Sequence, residues 1–143
     1  FTGSLAYVFG GNGLLSFDYT RKDYSTMEYS ADGADYSLVN DYYKTRLQAT
    51  NEFRVGGEYR ISQVSLRAGF RHVDSPYKNK DILGDLTSYS AGIGYSFGAS
   101  RLDLGYMFLN QDAQQKIISS GTSGTGNIKS NNHNISLTYS ASF

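Results

Sequence analysis

Apolar and polar residues alternate one by one through most of this chain. At its end Ile135, Leu137, Tyr139, Ala141 and Phe143 fall on one parity, and Asn134, Ser136, Thr138, Ser140 and Ser142 on the other. Successive side chains of a strand point to opposite faces, so this is the pattern of a strand with one apolar and one hydroxyl face. The pattern recurs upstream. Leu5, Tyr7 and Phe9 share a parity, and Leu15, Phe17 and Tyr19 oppose Ser16, Asp18 and Thr20. Phe53, Val55, Gly57, Tyr59 and Ile61 oppose Glu52, Arg54, Gly56, Glu58 and Arg60, while Val64, Leu66, Ala68 and Phe70 oppose Ser65, Arg67, Gly69 and Arg71. Tyr89, Ala91, Ile93, Tyr95 and Phe97 oppose Ser88, Ser90, Gly92, Gly94 and Ser96. Leu102, Leu104, Tyr106 and Phe108 oppose Arg101, Asp103 and Gly105, with Met107 and Leu109 as apolar exceptions on the polar side. The pattern predicts seven antiparallel strands, over residues 3–10, 14–24, 51–61, 63–73, 86–97, 100–111 and 131–143.

The connections alternate as well. Those at Gly10 to Gly13, Ser62 to Gln63 and Gly98 to Ser100 are tight, and those at Tyr24 to Thr50, Val73 to Asp85 and Asp112 to Ser130 are long and polar. Short turns at one end and long loops at the other are the arrangement of an outer-membrane β-barrel, with the carboxyl terminus on the periplasmic side. Aromatic residues of the apolar parity fall into two bands. Phe9, Tyr59, Tyr95, Phe97 and Phe143 lie near the short turns, and Tyr19, Phe53, Phe70, Tyr89 and Phe108 lie near the long loops, as two interfacial girdles require. In this reading Tyr7, Val55, Leu66, Ile93, Leu104 and Leu137 face lipid and the charged parity faces the interior. A soluble sandwich would place the apolar parity in a core and explain neither the two bands nor the glycines of the polar face.

Composition narrows the class further. The 143 residues form one domain with equal numbers of acidic and basic side chains, and this balance gives no electrostatic reason to expect a nucleic acid partner. Thirteen tyrosines, eight phenylalanines, sixteen glycines and one proline favour strands over helices. The absence of cysteine excludes a disulfide scaffold and thiolate metal sites. No apolar run approaches the roughly 18 residues of a spanning helix. The chain opens at Phe1 without methionine or leader, so a removed signal peptide or a missing N-terminal part is expected.

Candidate chemistry concentrates on the polar face: Asp18, Glu52, Arg54, Glu58, Arg60, Arg67, Arg71, Arg101 and Asp103 are expected to form a lumen-lining charged network of cross-strand pairs, extended by Lys22. Surplus arginine in that network suits a ligand carboxylate. His72 and His133 fall on the apolar parity near the long loops. Ser130 and Asn131 beside His133 permit a hydrolase triad only by proximity in sequence, and no catalytic residue, metal or cofactor is expected. The glycines of Gly121 to Asn127 lack the lysine of a phosphate loop and read as flexibility, and Glu28, Asp32 and Asp35 lack the spacing of a calcium hand.

The stretches "SLAYVFGGNGLLSFDYTRKDYS" and "NEFRVGGEYRISQVSLRAGF", with "SAGIGYSF" and the terminal "ISLTYSASF", resemble the C-terminal half of the FadL/TodX family of outer-membrane transporters for hydrophobic compounds. The forms called hemin receptors in Bacteroidetes are the most similar in style. The resemblance covers nearly the whole chain. It implies half of a fourteen-stranded barrel, so that residues 1–143 are the C-terminal part of one barrel domain in the outer membrane of a Gram-negative bacterium. It also implies passive, non-enzymatic uptake of hydrophobic small molecules such as long-chain fatty acids. The expected partners are outer-membrane lipid and lipopolysaccharide, the barrel assembly machinery, the hydrophobic ligand and the remaining half of the barrel. Seven strands are an odd number, and all-antiparallel closure needs an even one, so a fragment or a split barrel is expected. The family's plug and early strands have no counterpart here. By resemblance to outer-membrane barrels, Phe143 is the assembly signal, and the last strand pairs with the one beginning near Arg101 and with the first strand of the other half. The alternative is a structural or adhesive barrel that binds an external partner through its long loops.

Overall fold

A computed structural model describes residues 1–33, 35–116 and 125–142 of the protein. The described residues form one antiparallel sheet of seven strands in sequence order: β1 (Thr2–Phe9), β2 (Gly13–Asp23), β3 (Ala49–Ile61), β4 (Val64–Val73), β5 (Leu83–Ser96), β6 (Ser100–Lys116) and β7 (Thr125–Ala141). One helix, α1 (Ser37–Arg46), lies between β2 and β3. The all-β architecture, the seven strands and their antiparallel order are as the alternation predicts. The sheet is open, with β1 and β7 at its edges. No described helix is long and apolar enough to cross a membrane.

Register sorts the two faces without a slip through the body of the sheet. Phe17 pairs with Val55, Val55 with Phe70, Phe70 with Tyr89 and Tyr89 with Phe108, so one apolar row runs unbroken from β2 to β6. A second row joins Tyr59, Leu66, Ile93, Leu104 and Leu137. The other face carries Asp18 opposite Arg54, Arg54 opposite Arg71, and Glu58 opposite Arg67. Tight turns keep this register. Gly10 and Gly11 take φ of 57° and 72° between β1 and β2, a left-handed backbone that a side chain would strain. Ser62 adopts φ of 55° between β3 and β4, and Gly98 takes φ of 78° between β5 and β6.

The described residues place no second layer on the sheet. Among the described residues the one buried hydrophobic side chain is Leu47, which lies in a loop, whereas the leucines, valines and aromatics of the apolar rows are exposed, apart from the half-buried Phe108. Aromatic contacts on that face gather at its two ends. Phe9 and Tyr59 (centroids 6.2 Å apart) and Tyr95 and Phe97 (4.6 Å) lie near the tight turns, while Tyr19 and Phe53 (5.1 Å) and Phe70 and Tyr89 (5.3 Å) lie near the long connections.

Three features depart from the sequence expectation, all at the long-connection end. First, Tyr24 to Thr50 is not simply a polar loop. Asp35 accepts the Ser37 backbone N–H at 2.9 Å ahead of α1, and Lys44 and Arg46 occupy its last turn, where cations complement the exposed carbonyls. Asn40 clamps the helix to the preceding loop by exchanging hydrogen bonds with the backbone of Tyr29 (2.8 and 3.1 Å). Second, β5 begins at Leu83 rather than at residue 86, with an irregularity in register between Leu83 and Leu86. Third, the expected loop from Asp112 to Ser130 is largely strand. The β6–β7 ladder continues through Asp112 opposite Lys129 to Lys116 opposite Thr125, aided by an Asn110–Asn131 side-chain hydrogen bond of 2.7 Å. Ala113 opposite Ile128 is the one apolar pair there, so backbone pairing extends the hairpin without a sustained apolar alternation to announce it. Of the glycine-rich stretch read as flexible, Thr125 to Asn127 belong to β7, while Gly121 to Gly124 lie outside the described residues, as does Phe143.

Candidate functional site: an arginine–carboxylate network over a glycine and serine floor

Every charged residue expected on the polar face is on it, and the structure draws eight of the nine into ion pairs. Each of three carboxylates serves two arginines. Glu52 accepts from Arg54 (2.6 Å) and Arg71 (2.7 Å), Glu58 from Arg60 (2.6 Å) and Arg67 (2.8 Å), and Asp103 from Arg67 (2.7 Å) and Arg101 (2.8 Å). Arg54–Glu52, Arg60–Glu58 and Arg101–Asp103 are pairs two residues apart on one strand, where side chains return to the same face. The others cross between strands. Asp18 is the exception: it stands opposite Arg54 in register, yet no ion pair to it is found among the described residues. Among the described residues no ion pair to Lys22 is found either, and its backbone carbonyl accepts the Thr50 hydroxyl at 3.5 Å.

Arg67 has the longest reach. It pairs in register with Glu58 on β3 and Gly92 on β5, and its Nη1 passes over β5 to Asp103 on β6. The route is open because β5 presents Gly92 and Gly94 there. A Cβ on Gly94 would lie 2.3 Å from the Asp103 carboxylate oxygen and 2.8 Å from the Arg101 guanidinium, so any side chain at that position would displace the network. The sequence showed glycines on the polar face; that they clear a passage for an ion pair between next-nearest strands required the register.

Beside the network lies a hollow of about 740 Å³ against the polar face. Its floor is Ser16, Gly56, Gly69, Ser90, Gly105 and Ser136, all small. Leu14 and Met107 add apolar walls, and Arg67 with its two carboxylates closes one side. Met107, an exception to the alternation, is thus explained: it lines this hollow. Five arginines stand against four carboxylates on this face when Asp18 is included, and the guanidinium forks of Arg54 and Arg71 converge on a single oxygen of Glu52. Such a face has donors to spare for an anionic group.

The two histidines occupy other surroundings. His72 Nδ1 lies 3.1 Å from the Thr87 hydroxyl and its Nε2 3.6 Å from Asp74. His133 Nδ1 meets the Tyr106 hydroxyl at 2.8 Å, and its ring lies 5.0 Å from that of Phe108. Ser130 has the opposite parity to His133 and is bonded to the Asn132 amide at 3.3 Å, so the structure does not bring this pair together. Of the acidic loop residues, Glu28 pairs with Lys44 at 3.2 Å, and the Ser37 N–H holds the Asp35 carboxyl below its ordinary pKa.

Sequence reasoning missed a locked crown at the long-connection end. Residues 47–48 and 75–78 join two loops: Leu47 bridges Tyr77, Gln48 N–H donates to the Pro76 carbonyl (2.9 Å), and the Gln48 amide donates to the carbonyls of Ser75 (3.0 Å) and Tyr77 (3.3 Å). Ser75 is 1% exposed; its hydroxyl donates to the Leu83 carbonyl and accepts from the Tyr77 N–H at 3.1 Å, while its own N–H donates to Asp85 at 2.9 Å. Asn51 donates twice to Asp74, from its backbone (3.0 Å) and its amide (2.7 Å). The Asp74-Ser75-Pro76 tripeptide is the sequence signal for such a turn. No protein-family model and no curated protein matches this chain.

Proposed function

We propose that this chain forms part of the wall of an outer-membrane β-barrel that passes hydrophobic small molecules, such as long-chain fatty acids, across the membrane without enzymatic chemistry. One observation above all supports this reading. The sheet has a continuous apolar face with no core behind it, set against a polar face that holds a charged network and a hollow. A soluble protein buries such a face, whereas lipid solvates it and leaves the polar face toward a lumen. The aromatic pairs at the two ends of the apolar face suit the two membrane interfaces, and the aliphatic rows between them suit the hydrocarbon. In this arrangement lipid and lipopolysaccharide cover the apolar face. The assembly machinery inserts the barrel, and further strands complete it.

The polar face then recognises the ligand's head. A carboxylate entering the lumen meets the Arg54 and Arg71 forks, while its apolar body lies along the glycine and serine floor between Leu14 and Met107. The test is uptake of a long-chain carboxylic acid into liposomes that contain the protein, against protein-free liposomes. Uptake should depend on the protein and fall about tenfold in Arg54→Gln/Arg71→Gln, the equivalent of about 1.4 kcal/mol of lost charge-assisted hydrogen bonding. Uptake equal to that of empty liposomes would sink the transport reading. A second reading, adhesion through the long-connection end, rests on the crown and on α1, whose Leu38 is 85% exposed.

A further inference from the structure

The hollow on the polar face is more polar than a plain hydrocarbon chain requires. Besides the charged network, the side chains that enter it are Leu14 and Met107 on the apolar account, and Ser16, Ser90, Asn134, Ser136 and Thr138 on the polar one. Leu104 and Tyr106 also border it, but their parity turns their side chains to the opposite face. The Ser16 hydroxyl reaches the Gly56 carbonyl at 3.5 Å. Among the described residues Ser90, Asn134, Ser136 and Thr138 make no side-chain hydrogen bond, and all four are exposed. Glycine makes room for the hydroxyls. Ser16 stands opposite Gly56, Ser90 opposite Gly69 and Ser136 opposite Gly105. A Cβ on those glycines would lie 3.0, 2.6 and 2.8 Å from the three hydroxyl oxygens, so each hydroxyl leans over bare backbone at the level where the body of a ligand would rest. An alkyl chain laid there would strip water from the hydroxyls and return no hydrogen bond, which is unfavourable for every group it covers. A chain with a hydroxyl of its own returns the bond, and a site that bonds a substrate hydroxyl discriminates against the analogue without one.

We infer that the ligand is a long-chain carboxylic acid that carries a hydroxyl group in the middle of its chain, bonded by Ser90 and Ser136. This rests on the transport reading proposed above and adds to it what the body of the ligand carries. Register sets the place of the hydroxyl. Arg71 stands opposite Ser88, and Ser90 lies two residues further along β5. Gly105, the partner of Ser136, stands opposite Gly92, two residues further again. Two residues of strand span about 7 Å, so Ser90 and Ser136 lie roughly 7 and 14 Å along the wall from the level of the arginine that holds the carboxylate. Met107, in register with Ser90, is left for the hydrocarbon on either side of that hydroxyl.

The test compares uptake of stearate and of a mid-chain hydroxystearate into liposomes that contain the protein as the cell makes it, each corrected for protein-free liposomes. The hydroxy acid should enter about tenfold faster, the worth of one hydrogen bond that the plain acid leaves unmade. In Ser90→Ala/Ser136→Ala the ratio of the two rates should fall to near one. The ratio is read within each preparation, so a difference in the amount of folded protein cancels. Equal rates with the unaltered protein, a faster plain acid, or a ratio that the double replacement leaves unchanged would each overturn the inference while the transport reading stands. If neither acid enters faster than it enters protein-free liposomes, the transport reading falls and this inference with it.

Discussion

The wall and the crown of this molecule hold together by different means. In the wall, β2 to β6 share ladders and cross-strand side-chain rows, but the described wall encloses no buried hydrophobic side chain. In the crown, Leu47 is 7% exposed and Ser75 1%, and two loops distant in sequence are joined by a closed set of hydrogen bonds. The crown is stabilised by contacts that the chain makes with itself. Apart from its ladder and its ion pairs, the wall depends on what surrounds it. A change of surroundings should therefore separate the two, and lipid is the variable that does so.

The largest effect is expected from Ile93→Arg. At the middle of the apolar rows it should cost roughly 2–4 kcal/mol in a bilayer, and reversible unfolding in lipid vesicles measures it. A negligible loss would count against the contrast, because it would leave the wall indifferent to its surroundings. Arg67→Leu comes next. It breaks two charge-assisted pairs on the other face of the same wall, and partial exposure of the guanidinium brings the expected loss to about 2 kcal/mol by the same measurement. Gly94→Val should reproduce much of that loss without touching an ionisable group, since its side chain would occupy the space of the Asp103 carboxylate.

How far these parts were legible in the sequence follows from the same contrast. The wall was readable because period-two alternation directly encodes which residues share a face, and register then followed from tight turns at Gly10, Ser62 and Gly98. Nine charged residues were expected in a network on that basis, and eight of them make ion pairs. The crown and α1 were not readable. Leu47, Gln48 and Ser75 are brought together by loop closure between segments about 27 residues apart, which no local periodicity records. Nor was the extension of β6 and β7, where the ladder continues without a sustained apolar alternation and Asp112 faces Lys129. Asp18 shows the limit within the wall: parity gives its face but not whether Arg54 turns toward it or toward Glu52.

Smaller effects should mark the crown. Ser75→Ala leaves the Leu83 carbonyl and the Tyr77 N–H without a partner and should cost about 1–2 kcal/mol of local stability. Amide exchange of Tyr77 should quicken while that of Leu66 stays unchanged, in detergent and in lipid alike. Dependence on lipid would erase the distinction drawn here. The smallest effect concerns pH. The Asp85 carboxylate, 2.6 Å from Lys80, raises that ammonium above its ordinary pKa of 10.5. A raised folded pKa means that the contribution of the pair is complete below pH 10.5 and lost as pH climbs through the higher value. Amide exchange around Lys80 should therefore show a step in local stability only above pH 10.5, absent in Lys80→Gln.

The passage of Arg67 over the bare backbone of β5 amounts to proofreading of strand assembly. A slip of β5 by two residues keeps every side chain on its proper face and would go unpunished by the apolar rows. A slip that put Ser96 in the place of Gly94 would, however, drive a side chain into the Asp103 carboxylate and the Arg101 guanidinium, where none fits. Because Asp103 on β6 holds Arg67 on β4, the offset between those two strands is fixed independently of β5 between them. Gly94 thus acts as an alignment mark against a slip in that direction, because its place beside Asp103 and Arg101 accepts no side chain.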